Sequence, residues 1–237
     1  MGLSSAFPPQ SMDLVMGFEL ADSIYYCIAN NKVVLLDLRR DRYFALPEEL
    51  ERAFKHLAGG VGLHAGDQRA LTALSQAGVL KRVQDDVPMR APPFINVPTT
   101  SLIEQGEADV KPFLAICALL SQCKTALELR ERGLFEAIGQ IQVKRTSREP
   151  ERIDIGECAR RATAFNSTKQ LIATQDRCLR RSIALLNFLR GANFHPNLVI
   201  GVKMLPFGAH AWVQDGRVVL NDMLDHVTTP YTPILVI

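Results

Sequence analysis

Three things are scarce in this 237-residue chain, and each closes off a class of function. The first is an excess of charge: 27 Lys and Arg stand against 25 Asp and Glu, for a net charge of +2. A nucleic-acid interface needs Lys and Arg clustered on one face. Here the basic clusters (Arg39, Arg40, Arg42; Arg160, Arg161; Arg180, Arg181) are short and interleaved with acids, so they are expected to be solvated faces, with no nucleic-acid partner. The second is long apolar runs. None approaches the ~20 residues that span a bilayer, and the opening MGLSSAFPPQ lacks the basic segment and apolar core of a signal peptide. The expectation is a soluble, cytoplasmic protein with no membrane partner. The third is cysteine in a useful pattern. Five is an odd number, most lie inside apolar runs, and the Cys117/Cys123 spacing fits no zinc motif. Reduced thiols follow, with Cys27, Cys117, Cys123 and Cys158 acting as small hydrophobes. Neither a metal nor a cofactor is expected.

What remains is a chain that is 47% apolar and 22% charged, enough to bury real cores. From Phe18 the pattern becomes β: IYYCIA (24–29) and VVLLDL (33–38) are rich in β-branched and aromatic residues. Between them Asn30-Asn31 suits the left-handed conformation of a tight hairpin. A helix is predicted from Pro47, with Glu48, Glu49 and Glu51 at the positive end of its dipole and Leu50, Phe54 and Leu57 on one face. A second is predicted behind an Asp67 cap and stopped by Gly78, and Val79–Val83 reads as a short closing strand. Strands first and helices after make residues 17–86 a small winged-helix domain. Four prolines between Val87 and Thr100 mark an extended linker, taken as 87–106.

The strands ending in LLDLRRDRYFAL, followed at once by the Pro47 helix and later by the Ala70–Gly78 helix, resemble the PqqD-like domains known as RiPP recognition elements. The resemblance implies that the leader of a precursor peptide adds as an extra strand, drawn by unpaired N–H and C=O groups on an exposed edge. Carried over, the docking edge is Val33, Val34, Leu35, Leu36 and Asp37, with Ala70, Leu71 and Leu74 lining the groove or packing in the core.

Residues 107–237 read as helices first. Ala108–Arg130, a second run after Gly133, and Ile155–Ile172 have helical spacing and carry no evident chemistry. Cys178 then opens a helix that runs to Gly191. In a first turn, unpaired N–H groups and the helix dipole lower a thiol pKa and can receive an oxyanion. Asn197–Met204 reads as a buried strand. His210 opens the next one, and Asp215-Gly216 is a two-residue hairpin signal that would carry His210 toward Asn221 and Asp222. A thiol, a base and a carboxylate that orients the base are the parts of a cysteine nucleophile. Gln175 is a candidate oxyanion donor. Trp212 shares His210's face, as core packing or as a shield. Asp225 and His226 beside His210 and Asp222 would be the only metal set, and nothing fixes ligand spacing there.

Cys178-Leu179-x-Arg181-Ser182-x-Ala184-Leu185, Val199-Ile200-Gly201-Val202, Pro206-Phe207-x-Ala209-His210-Ala211-Trp212 and Asn221-Asp222 closely resemble the lasso peptide B proteins. These are transglutaminase-like (papain-type) cysteine proteases that remove the leader of a lasso peptide precursor. The resemblance implies an α+β protein: an N-terminal PqqD-like winged helix, then a papain/transglutaminase-like domain with a helical lobe and an antiparallel sheet. It implies a triad of Cys178, His210 and Asp222, a precursor leader as partner, and an asparagine-synthetase-like, ATP-dependent macrolactam synthetase acting on the freed amine. Arg180 stands where many relatives have proline. Two other readings stay open: a transglutaminase-type acyl transferase, and a non-catalytic precursor-binding scaffold.

Overall fold

The computed structural model describes residues 17–84, 88–105, 110–146, 155–171, 178–228 and 231–237. In chain order come β1 (Gly17–Leu20), β2 (Ile24–Ala29), β3 (Lys32–Asp37), β4 (Arg42–Ala45), α1 (Glu48–Ala58), α2 (Ala65–Gln76), β5 (Leu80–Val83) and β6 (Thr100–Ser101). There follow α3 (Pro112–Thr146), α4 (Ile155–Ser167), α5 (Cys178–Arg190), β7 (Asn197–Met204), β8 (Phe207–Asp215), β9 (Val218–Val219), α6 (Leu224–Thr228) and β10 (Thr232–Val236). Two compact units divide these: residues 1–22 with 47–91, and residues 23–46 with 92–237. The hairpin strands thus group with the C-terminal part of the chain, which differs from a continuous 17–86 domain.

In the first unit β1 pairs antiparallel with β5, from Gly17↔Val83 to Leu20↔Leu80. The three glutamates fill the first turn of α1, and Phe54 is buried. Asp67 does not sit at the N-cap of α2 but three residues in. Its carboxylate reaches back to accept the His64 N–H at 3.1 Å and meets His56 Nδ1 at 3.0 Å. That capping box lets the helix begin two residues earlier than the carboxylate that starts it.

The second unit holds a three-stranded sheet, β2-β3-β4, and a five-stranded one, β10-β7-β8-β9-β6. The Asn30-Asn31 turn has φ of 49° and 59°, as the hairpin requires. The larger sheet is antiparallel except for β6, which runs parallel to β9. Helix α5 is the centre of the packing. It buries Ile183, Ala184, Leu185, Leu186, Phe188 and Leu189, apolar almost all round as an internal helix must be. Its core also takes in Val34 and Leu36 of β3, Phe165 of α4, Ile200 of β7 and Leu235 of β10. Each such side chain contributes roughly 1.5–3 kcal/mol on burial.

Several expectations need correcting. Strand β3 is central, not an edge: Ile24–Ala29 pairs along one side and Val34–Asp37 faces Ala45–Arg42 on the other. Its hydrogen-bonding groups from Val34 to Asp37 are already used, so a leader has no ladder to join there. Asp37 is buried and caps the next turn, accepting the Arg39 and Arg40 N–H groups at 3.0 and 3.2 Å. Leu71 and Leu74 are buried and Ala70 half-buried. Pro112–Val143 is long and apolar enough to cross a membrane by length and composition, against the expected lack of such a run. Gly133, at φ 78°, breaks α3 within it, and Ala118, Ile138 and Ile141 face the core. Phe113, Ile116, Leu120 and Leu127 on the same helix are exposed, as is Cys123, which is therefore no core residue. Nor is every arginine cluster solvated. Arg181 lies over the Phe165 ring at 4.9 Å and donates to the Phe165 carbonyl at 3.1 Å and to Gln122 Oε1 at 3.2 Å.

Candidate active site

Cys178 begins α5, so its thiol lies in the first turn of the most buried helix of the unit. Strand β8 runs beside it: Ser182, one turn along α5, donates to the Ala211 carbonyl at 2.9 Å. That bond fixes helix against strand and sets His210 across from the sulfur. The His210 side chain and the backbone N–H groups of Ala211 and Leu179 lie near enough to the Cys178 thiol to favour its ionised form. On its other side His210 meets Asp222, Nε2 to Oδ2, at 2.5 Å. This leaves Nδ1 as the ring nitrogen for the thiol. His210 and Asp222 are 19% and 17% exposed, shielded from water yet reachable.

Asp222 arrives by a route other than the one expected. The register Gln214↔Val219 and Asp215↔Val218 puts Gly216-Arg217 in the two-residue loop, with Gly216 at φ 55°. The returning strand stops after Val219, and the Asn221 side chain takes over. Its Oδ1 accepts the Val213 N–H at 2.8 Å, and its Nδ2 donates to Ser182 Oγ at 2.9 Å. The backbone is thereby freed from the ladder just where Asp222 must turn toward His210. Ser101 Oγ donates to the Asp222 carbonyl at 2.6 Å and holds that turn from β6. Ser182 and Asn221 were visible only as members of a motif, and Ser101 carried no signal at all. Its partner is 121 residues away.

Trp212 is buried, stacks on His210 with centroids 6.2 Å apart and planes 22° apart, and donates Nε1 to Gln214 Oε1 at 3.0 Å. Tyr231 flanks the same imidazole at 5.5 Å. Electrostatics follow this geometry. Burial pushes the Cys178 thiol up, but the bonds from His210, Ala211 and Leu179 outweigh it and bring the pKa below the ordinary 9.0. Burial pushes the His210 imidazolium down, but Asp222 and Cys178 raise it to about 9. Burial also opposes the Asp222 carboxylate, which His210, the Met223 N–H and His226 together hold below its ordinary value. The arrangement favours a thiolate–imidazolium pair over a neutral thiol and imidazole.

Gln175 lies outside the described residues. Among the described residues no group of three His, Cys, Asp or Glu could hold a metal ion. A cavity of about 830 Å³ between α3 and α5, with Lys124, Arg132, Asn187 and Arg190 in its lining, includes none of Cys178, His210 and Asp222.

Residues 120–236 match the family model described as Transglutaminase-like superfamily. A 45-residue stretch is 47% identical to the microcin J25-processing protein McjB of Escherichia coli. That stretch is 19% of this chain and spans 22% of the relative's length. No solved structure matches the chain.

Proposed function

We propose that this chain is a cysteine peptidase that cuts a lasso peptide precursor at its leader–core junction. The observation that carries the reading is the juxtaposition of Cys178, at the start of a buried helix, with a His210 whose Nε2 meets Asp222 Oδ2 at 2.5 Å, all within the transglutaminase-like stretch. His210 takes the thiol proton, and the Cys178 sulfur attacks the scissile carbonyl. The Cys178 backbone N–H, freed by its place in the first turn, stabilises the oxyanion, and Gln175 is a second donor in this proposal. The imidazolium protonates the leaving amine. Water, activated by the neutral imidazole, then attacks the acyl-enzyme and releases the leader. Asp222 holds the ring in one tautomer and balances its charge throughout. This chemistry asks for no cofactor.

The substrate class rests on the lasso peptide B protein resemblance and on a partial relative that processes microcin J25. In this proposal the leader docks on the outer side of β4, Arg42–Ala45, which among the described residues pairs only with the central β3. The freed core amine is then available to an asparagine-synthetase-like macrolactam synthetase as partner.

The test is mass spectrometry of a precursor peptide incubated with wild type and with Cys178→Ala. The expected outcome is leader and core fragments with wild type alone. Cleavage that survives Cys178→Ala would sink the peptidase reading. Wild type that joins an amine to the peptide without freeing a new N-terminus makes the chain an acyl transferase. Tight binding with neither product makes it a scaffold.

A further inference from the structure

Asp222 is gripped by two histidines. While Oδ2 meets His210, Oδ1 accepts the Met223 N–H at 2.8 Å and meets His226 Nδ1 at 3.0 Å. His226 reaches it because residue 226 is four positions on, and the short helix α6 turns its side chain back over the carboxylate. That helix is itself tied down. Glu104 Oε1 accepts the Leu224 N–H at 3.1 Å, and Thr228 Oγ1 donates to the Leu224 carbonyl at 3.0 Å.

A carboxylate turns easily about its last bond, because that torsion is broad and two-fold. One backbone N–H on Oδ1 leaves the plane of the group free to rock, whereas a second donor from another direction fixes it. Oδ2 then lies where the His210 ring must find it. We propose that His226 is a positioning residue for the catalytic carboxylate. Resting on the peptidase reading above, this role makes the unit a four-membered series in which His226 orients Asp222, Asp222 orients His210, and His210 activates Cys178. His226 is 62% exposed, so its contact with Asp222 adds little to fold stability and its effect falls on turnover. An exposed histidine on a surface helix would otherwise be unremarkable; here its ring nitrogen ends on the one carboxylate that supports the base.

The experiment compares wild type, His226→Ala and His226→Asn in the full chain. Asparagine can place its Nδ2–H₂ near the position of Nδ1, and alanine offers no donor. Two readouts are taken: kcat and KM on a precursor peptide, and the rate at which iodoacetamide alkylates Cys178 at mildly acidic pH, followed on the Cys178 peptide by mass spectrometry. The expected result for His226→Ala is a kcat lower by about tenfold (about 1.4 kcal/mol) at unchanged KM, and alkylation slowed several-fold. His226→Asn should recover most of both, and melting temperatures should agree among the three. Unchanged kcat and alkylation in His226→Ala would overturn the proposal, as would a loss that asparagine fails to restore. If wild type cleaves no peptide, the peptidase reading falls alone, because the alkylation rates still report whether His226 supports the Asp222–His210–Cys178 series.

Discussion

Gly201 stands opposite His210 in the β7–β8 register, and it is the position where one methyl group should do most damage. A Cβ built there would lie 2.9 Å from the Tyr231 Cβ and 3.0 and 3.1 Å from two ring carbons of Trp212. Optimal carbon–carbon separations are about 3.5–4.0 Å, so all three contacts are repulsive. The neighbours cannot yield cheaply. Trp212 is buried and held through Nε1 by Gln214, and the Tyr231 atom is bonded directly to backbone. Overpacking of this kind costs about 1–3 kcal/mol, which at roughly 2–4 °C per kcal/mol for a chain of this size lowers the melting temperature by about 2–12 °C. Both displaced rings flank His210, so the strain also reaches the imidazole. A misplacement of about 1 Å can cost on the order of 10²-fold in rate, and a kcat loss of at least about tenfold is expected for Gly201→Ala. Thermal melts and steady-state kinetics on a precursor peptide check both figures. Gly139→Ala is the control, because a Cβ there meets nothing within 4 Å. A Gly201→Ala protein that melts within about 1 °C of wild type and keeps full kcat would refute the packing argument.

Two further predictions concern the same machinery. The thiolate–imidazolium pair exists only between the lowered Cys178 pKa and the raised one of His210 at about 9. A pH series of kcat/KM should therefore rise as the thiol ionises below its ordinary 9.0 and fall as the imidazolium deprotonates near 9. In Asp222→Asn the alkaline limb should move down, because burial then acts on His210 without the carboxylate; an unmoved limb would mean that Asp222 is not its support. Ser182→Ala strips the buried Ala211 carbonyl and the Asn221 amide of a shared partner. It should cost about 1–3 kcal/mol in chemical denaturation and lower kcat with it. An unchanged denaturation midpoint would show that the stitch between α5 and β8 carries no weight.

The three candidate residues were legible because their chemistry restricts them: a thiol at a helix start, and a base and a carboxylate on either side of one hairpin. His210, however, is the fourth residue of β8 and does not open it, and Asp222 lies three residues past the end of β9. The path between them was less so. Asp215-Gly216 looks like a turn dipeptide, yet the loop is Gly216-Arg217, a shift no local propensity reveals. Asp222 still meets His210 because Asn221 breaks the ladder with its own side chain, a substitution that depends on Ser182 from another element. The β-pattern of VVLLDL correctly marks a strand, but both its faces are buried, and a fully apolar strand is a central one. RYFA, half-exposed with Arg42 at its start, carries the marks of an edge. The chain order of strands hides this, since an edge is a property of neighbours and not of sequence.

That distinction changes how the substrate would be fed to the nucleophile. The three-stranded sheet β2–β4 needs a packed apolar face to be stable, and it gains one from a core shared with α5 and β7. The edge strand and the nucleophile therefore belong to one packed unit. Tyr43 makes the connection local. It lies on β4, its ring sits 5.8 Å from Phe207 at the mouth of β8, and its phenol is pushed up by burial and further by the charges of Asp41 and Cys178. A peptide strand added to β4 would run past a side chain that feels the reacting sulfur. Tethering then raises the local concentration of the scissile segment with little slack, because the two ends of the path cannot drift apart as they could across a flexible linker. Under the peptidase reading, the number of residues between the docked leader segment and the cleaved bond becomes a fixed length of this unit. Lengthening that spacer with inserted Gly-Ser pairs should reduce kcat/KM steadily, whereas a free-swinging recognition domain would tolerate the insertions.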